Sequence, residues 1–164
     1  MKILIKSRQW IERRSLLPFQ EGTALISICD EDKEFVKLLF HPSALFRLRF
    51  NDVDGDIFYP LFTNEKLSST QREEVQKKYG VLTDEKAMQI AKFIVGLPPS
   101  INTIICQCEH GQSRSAAIAA AIAEHQKKSG VWIFACDQYC PNKLVFRKVL
   151  ACLKQCGQTV EDEL

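Results

Sequence analysis

Cys108 and Arg114 are separated by five residues, backed by Ser115, and set in a polar turn, EHGQS, that centres on Gly111. These types at this spacing suit phosphate chemistry. A guanidinium fork holds two phosphate oxygens at once, whereas a lysine offers only a point charge. A cysteine at the mouth of a cup of free backbone amides has its thiolate stabilised by those amides, so its pKa falls below the ordinary ~8.5. The Ser115 hydroxyl is placed to hydrogen-bond the sulfur. One loop would thus bind an oxyanion and arm a nucleophile.

The spacing alone is a weak signal in a chain with seven cysteines, and the elements around it carry the argument. Residues 102–107 form a β-branched run that predicts a strand, and the almost wholly apolar stretch after Ser115 predicts a long helix. At a helix N-terminus the free N–H groups converge and the dipole adds positive potential, which makes a strand, loop and helix start a ready anion site. Gly111 supplies backbone angles closed to other residues.

A length of 164 residues predicts a single domain, 1–164, with a sizeable core. Charged residues make up 26% and nearly cancel, for a net charge of +2, so the composition gives no sign of a nucleic-acid-seeking or membrane-seeking surface. No run approaches the ~20 apolar residues of a membrane span. MKILIKSRQWIERR interrupts its apolar character too early for a secretory signal, and the odd cysteine count, with several cysteines inside apolar runs, predicts free thiols and a cytoplasmic location.

Further strands are predicted over 2–6, 23–29 (TALISIC) and 45–50 (LFRLRF), with 7–14 open to helix or loop. The acidic DEDKE predicts a helix reaching Phe40, stopped by His41-Pro42. Residues 57–69 read as irregular. Thr70 and Glu73 give the capping-box spacing for a helix over 71–79, closed by Gly80. Thr83 opens another with the stripe Ala87, Ile90, Ala91, Ile94 and Val95, ended by Gly96. Then VWIFAC reads as a short strand or buried loop, Pro141 begins a last helix, Gly157 caps it, and TVEDEL frays. Strands alternating with helices argue α/β: a small mostly parallel central sheet flanked by helices. Ligands in such folds sit beyond the carboxyl ends of strands, where Cys108 falls.

The loop NDVDGD after LFRLRF holds Asp52, Asp54 and Asp56. Its spacing lacks the glycine and glutamate places of a calcium loop. One of these carboxyls could instead protonate a leaving group; the other reading is turn or capping residues. Cys106, Cys108 and His110 alternate, with Cys136 and Cys140 downstream, which raises a metal or redox reading. Placing Cys106 and Cys108 on opposite faces of the strand argues against their joining as ligands and makes Cys106 a core residue. His41 and His125 read as surface or helix-end residues, Trp10 and Trp132 as core or groove-lining aromatics, and Arg13 and Arg14 as a solvated face or contacts to a phosphorylated partner.

CEHGQSRS resembles the phosphate-binding loop of the cysteine-dependent protein tyrosine phosphatase superfamily, in its compact dual-specificity and bacterial or phage tyrosine-phosphatase-like branch. Residues 104–116 carry the likeness most sharply, 23–152 more loosely, and the first twenty residues not at all. The resemblance implies a dual-specificity-phosphatase-like fold in which Cys108 is the nucleophile, Glu109, His110, Gly111, Gln112 and Ser113 lend backbone amides, Arg114 binds phosphate and Ser115 assists thiolate release. It implies a general acid on an upstream loop that follows a strand, the place of Asp52 first and Asp54 second. It implies hydrolysis of phosphotyrosine or phosphothreonine in proteins through a phosphocysteine intermediate, with phosphate or vanadate as ligands and no cofactor or metal.

The sequence departs from that pattern at Gln107, where the family carries histidine; glutamine cannot ionise, which implies a less depressed thiolate and keeps a catalytically silent phosphate-binding module in play. His110 before the glycine is similar to the RNA 5′-triphosphatase relatives, an alternative that Ser113 and Ser115 weaken because those relatives carry asparagine and threonine around the arginine. The loop lacks the lysines of phosphoinositide phosphatases, which disfavours a lipid substrate.

Overall fold

Thr23–Cys29 forms strand β2 in the interior of the sheet and is buried at every position. A strand hidden on both faces needs a continuous apolar run, and TALISIC is one. The computed structural model describes residues 1–53 and 68–161. Among them β1 (Lys2–Ser7), β3 (Ala44–Arg49) and β4 (Thr103–Cys108) complete a four-stranded sheet of order β1-β4-β2-β3, parallel at every pairing. The helices are α1 (Arg8–Arg14), α2 (Ser69–Lys78), α3 (Asp84–Val95), α4 (Arg114–His125), α5 (Val131–Ala135) and α6 (Lys143–Glu161). The chain is therefore α/β, with a central parallel sheet flanked by helices.

The twofold period of the strands divides the core. Ile26, Ile28, Ile104 and Cys106 face one side, against Ile90 and Ile94 of α3, the alanines of α4, and Val149 and Leu153 of α6. Leu25 and Ile105 face the other, with Ile11 of α1 and Val36. α4 is buried from Arg114 to Ala123. Its alanines let the helix lie close to β1 and β4 while α6 covers its other side. The N-terminus of α4 is thereby fixed at the carboxyl ends of the strands.

Several expectations hold locally. Thr83 caps α3 by accepting a hydrogen bond from the Lys86 amide at 3.2 Å. Gly80, with φ +62, follows α2, where the amides of Gly80 and Val81 return to the carbonyls of Lys77 and Gln76; only glycine adopts this left-handed closure without strain.

Others are corrected. The capping box of α2 is Ser68 with Gln71, not Thr70 with Glu73, and the helix starts earlier. The helix expected from DEDKE to Phe40 does not form. In its place, guanidinium groups bond the carbonyls of a non-helical segment: Arg49 donates to the Lys33 carbonyl at 3.0 Å, Arg8 to that of Glu34 at 2.5 Å, and Arg47 to that of Val36 at 2.9 Å. Carbonyls bonded this way have no need of helical partners, while Val36 is buried. VWIFAC contains the short helix α5 rather than a strand or buried loop. Trp132 is exposed and meets the Tyr139 ring edge-on, so it is no core residue. Asp54, Asp56 and the stretch expected to be irregular, except its last two residues, lie outside the described residues, as do the last three residues of TVEDEL.

α6 runs through Gly157 instead of ending there. A Cβ at Gly157 would meet only His125 Cε1, at 3.5 Å, an ordinary contact. Glycine in a helix interior costs roughly 0.5–1 kcal/mol relative to alanine. Gly157→Ala is therefore expected to stabilise the protein by about that amount, read as a higher urea midpoint with an unchanged m-value; a lower midpoint would show that the helix end needs glycine.

Candidate active site

All four strands end at one place. β4 delivers Cys108, and the chain then turns through residues 109–113 into α4. Gly111 makes the turn possible. Its φ is +72, and a Cβ there would lie 2.6 Å from the Ser7 amide nitrogen and 2.7 Å from the Lys6 carbonyl carbon, both backbone atoms that cannot move aside. The loop is thus packed directly on the end of β1.

The loop's polar groups are divided by direction. The carbonyls of Glu109, Gln112 and Ser113 accept from the amides of Arg8, Cys140 and Ala117. Among the described residues, no amide from His110 to Ser113 donates to a backbone acceptor. Carbonyls already bonded and amides left over are what an anion cup requires. Cys108 is 2% exposed, and its Sγ lies 3.1 Å from the Ser115 Oγ. Gln107, the residue before it, is buried and accepts a 2.6 Å hydrogen bond from Ser27 of β2.

Arg114 lies with its side chain 4% exposed. Nη1 donates to the Phe50 carbonyl at 2.6 Å and pairs with Asp30 Oδ1 at 2.7 Å. Nε is buried and has no hydrogen-bond acceptor. The nearest carboxylate oxygen, Asp52 Oδ2, is 3.8 Å away, beyond hydrogen-bond range though still an ion pair. A buried guanidinium donor without an acceptor costs free energy until an oxyanion meets it.

Asp52 follows β3 and lies over this loop, accepting from the Ser113 Oγ at 2.7 Å and from Asn142 Nδ2 at 2.9 Å. Asp30, at the end of β2, bridges Arg114 to Lys33 Nζ at 3.0 Å. Burial raises the Asp30 carboxyl, but the hydrogen bond and charge of Lys33 and the charge of Arg114 outweigh it and hold the carboxyl below its ordinary range. Glu109 turns its side chain away from the cup to Arg8 Nε at 3.0 Å. His110 and Gln112 are exposed.

The structure therefore brings Cys108, Arg114, Ser115, Ser113 and Asp52 together, as the sequence led one to expect, around Gly111. Three residues escaped the sequence reading. Asp30 had one signal, its position just after an interior parallel strand, but the expected helix absorbed it. Asn142 fell inside the helix expected to begin at Pro141, whereas the helix begins at Lys143 and Asn142 caps it. Arg8, rather than Arg13 or Arg14, reaches the loop; Arg14 bonds the carbonyls of Leu17 and Pro18.

Cys106 and Cys108 do not face opposite sides. Both belong to the same core cluster, because residues two apart on a strand share a face. Burial pushes the Cys106 thiol well above its ordinary value, consistent with a core residue. Among the described residues no group of three His, Cys, Asp or Glu side chains could hold a metal ion. A cleft of about 830 Å³ lies apart from the site, lined by Glu31, Arg72, Lys77 and Lys86. Its Lys86–Glu31 pair, at 2.7 Å, already neutralises charge there.

Comparison with family models, curated proteins and solved structures finds no match.

Because the Asp30 carboxyl sits below its ordinary 3.8, its contribution to stability is fully present above that pH and lost as pH falls through the lowered folded value. The difference in urea-unfolding free energy between wild type and Asp30→Asn is expected to be largest near neutrality and to shrink steadily in acid below pH 3.8. A difference independent of pH would show that the Asp30 charge does not hold Arg114.

Proposed function

We propose that the protein is a cysteine-dependent phosphatase that hydrolyses phosphate monoesters, with phosphotyrosine or phosphothreonine in proteins as its substrate class. The observation that carries this reading is the buried Arg114 Nε without an acceptor, beside the Cys108–Ser115 pair and under a loop with unused amides. A phosphate in the cup would satisfy that donor and those amides together. The likeness of CEHGQSRS to the phosphate loop of the tyrosine phosphatase superfamily supports the same reading.

In the first step the Cys108 thiolate attacks phosphorus in line with the ester oxygen. The S–P bond forms as the P–O bond breaks, the amides and Arg114 hold the equatorial oxygens, and Asp52 gives its proton to the leaving oxygen. In the second, Asp52, now a carboxylate, takes a proton from water as that water attacks phosphorus, the S–P bond breaks, and thiolate and inorganic phosphate are released. Ser115, at 3.1 Å from the sulfur, stabilises the departing thiolate.

Phosphotyrosine- and phosphothreonine-bearing proteins are the proposed partners, and the cytoplasm the proposed location. Among the described residues no helix is long and apolar enough to cross a membrane.

The test is turnover of an aryl phosphate and of phosphopeptides. Cys108→Ser is expected to abolish activity, Asp52→Asn to lower kcat by about 10²–10⁴-fold, and vanadate to inhibit the wild type. Full activity in Cys108→Ser would overturn the mechanism. Tight, vanadate-competed binding of phosphopeptides with no wild-type turnover would identify a silent phosphate-binding module instead.

A further inference from the structure

Asn142 lies 9% exposed between Pro141 and α6, and the three hydrogen bonds of its side chain run in two directions. Its Oδ1 accepts the Val145 amide at 3.1 Å and so caps the helix. Its Nδ2 donates to Asp52 Oδ1 at 2.9 Å and to the Val53 carbonyl at 2.7 Å. A cap needs only the oxygen. Serine or threonine would serve it about as well, so helix capping leaves the two amide contacts unexplained.

Those contacts reach ninety residues back along the chain to a carboxyl that meets the phosphate loop through Ser113. The same turn touches the loop directly, where the Cys140 amide donates to the Gln112 carbonyl at 3.0 Å. α6 in turn packs along α4, whose first residue is Arg114. The segment before α6 is thus tied to the acid and to the phosphate cup at once.

We propose that Asn142 is a positioning residue that sets Asp52 over the phosphate cup, holding the carboxyl and the backbone after it in register with the leaving-group oxygen. The inference rests on the reading of Asp52 as general acid. One oxygen of Asp52 is occupied by Ser113 and Asn142. The other lies 3.8 Å from Arg114 Nε, beyond hydrogen-bond range, and is the one that would carry the transferable proton. Without the Asn142 amide, Asp52 would keep Ser113 as its hydrogen-bonding partner and could swing about it. A carboxyl displaced by about 1 Å loses up to about 10²-fold of its effect, and only where the leaving group needs a proton.

Asn142→Ser and Asn142→Thr keep a capping oxygen and remove the amide donor, and two variants guard against one folding poorly. Against an unsubstituted phenyl phosphate each is expected to lose about tenfold to a hundredfold in kcat. Against an aryl phosphate whose leaving group departs without protonation the loss should stay below about threefold. Vanadate affinity and the urea midpoint should match wild type. In an Asp52→Asn background the Asn142 substitutions should cost nothing further, because their effect passes through Asp52. Equal losses on both substrates, or full additivity with Asp52→Asn, would overturn the positioning role while leaving the proposed phosphatase standing. Absence of turnover in the wild type would overturn both.

Discussion

The guanidinium of Arg114 is a cation with 4% of its side chain exposed, and most of the site follows from making that tolerable. Removing an ion from water costs several kcal/mol after relaxation, and the loss is recovered only through close partners with good geometry. Here the partners come from elements far apart in sequence: Asp30 from the end of β2, the Phe50 carbonyl and Asp52 from the end of β3. Nε is buried without an acceptor. The charge is thus stabilised enough to be buried while one of its donors keeps no acceptor.

A parallel sheet is what allows this convergence. With order β1-β4-β2-β3 and all strands running the same way, the carboxyl ends of β4, β2 and β3 lie side by side. Cys108, Asp30 and Asp52 therefore come from neighbouring strands. β1 closes the other flank by backing Gly111 and delivering Arg8 to Glu109. The alanines of α4 matter for the same reason: bulkier residues would lift the helix, and with it Arg114 and the start of the loop, off the strands that supply its partners.

The placing of the loop between β4 and α4 was legible in the sequence because its features are local. Strand, Gly111, Arg114 and Ser115 fall within a dozen residues, and Asp52 could be found because it directly follows a strand. The charge lattice was not legible. Asp30 sits in DEDKEFVKLLF, whose composition favours a helix, and what overrides that preference is three arginine side chains, two from β3 and one from α1, bonding its carbonyls. No local pattern announces partners supplied by other elements. The same holds for Asn142, whose cap is a local signal and whose bond to Asp52 is not, and for Gly157, which looks like a helix end until the packing of α6 on α4 carries the helix past it.

The two carboxyls around Arg114 are set apart by what surrounds them. Asp30 is fixed between two cations, with Nη1 of Arg114 at 2.7 Å and Nζ of Lys33 at 3.0 Å. Asp52 meets a hydroxyl and an amide as its hydrogen-bond donors, and its side chain is 36% exposed. A carboxyl locked between cations suits anchoring, because its charge is what the neighbouring groups need. One whose hydrogen bonds come from a hydroxyl and an amide, with the guanidinium only at 3.8 Å, is the more loosely held of the two. The division also separates the two charges: that of Asp30 is taken up by Lys33 and by Nη1 of Arg114, while Nε of Arg114 keeps no hydrogen-bond acceptor.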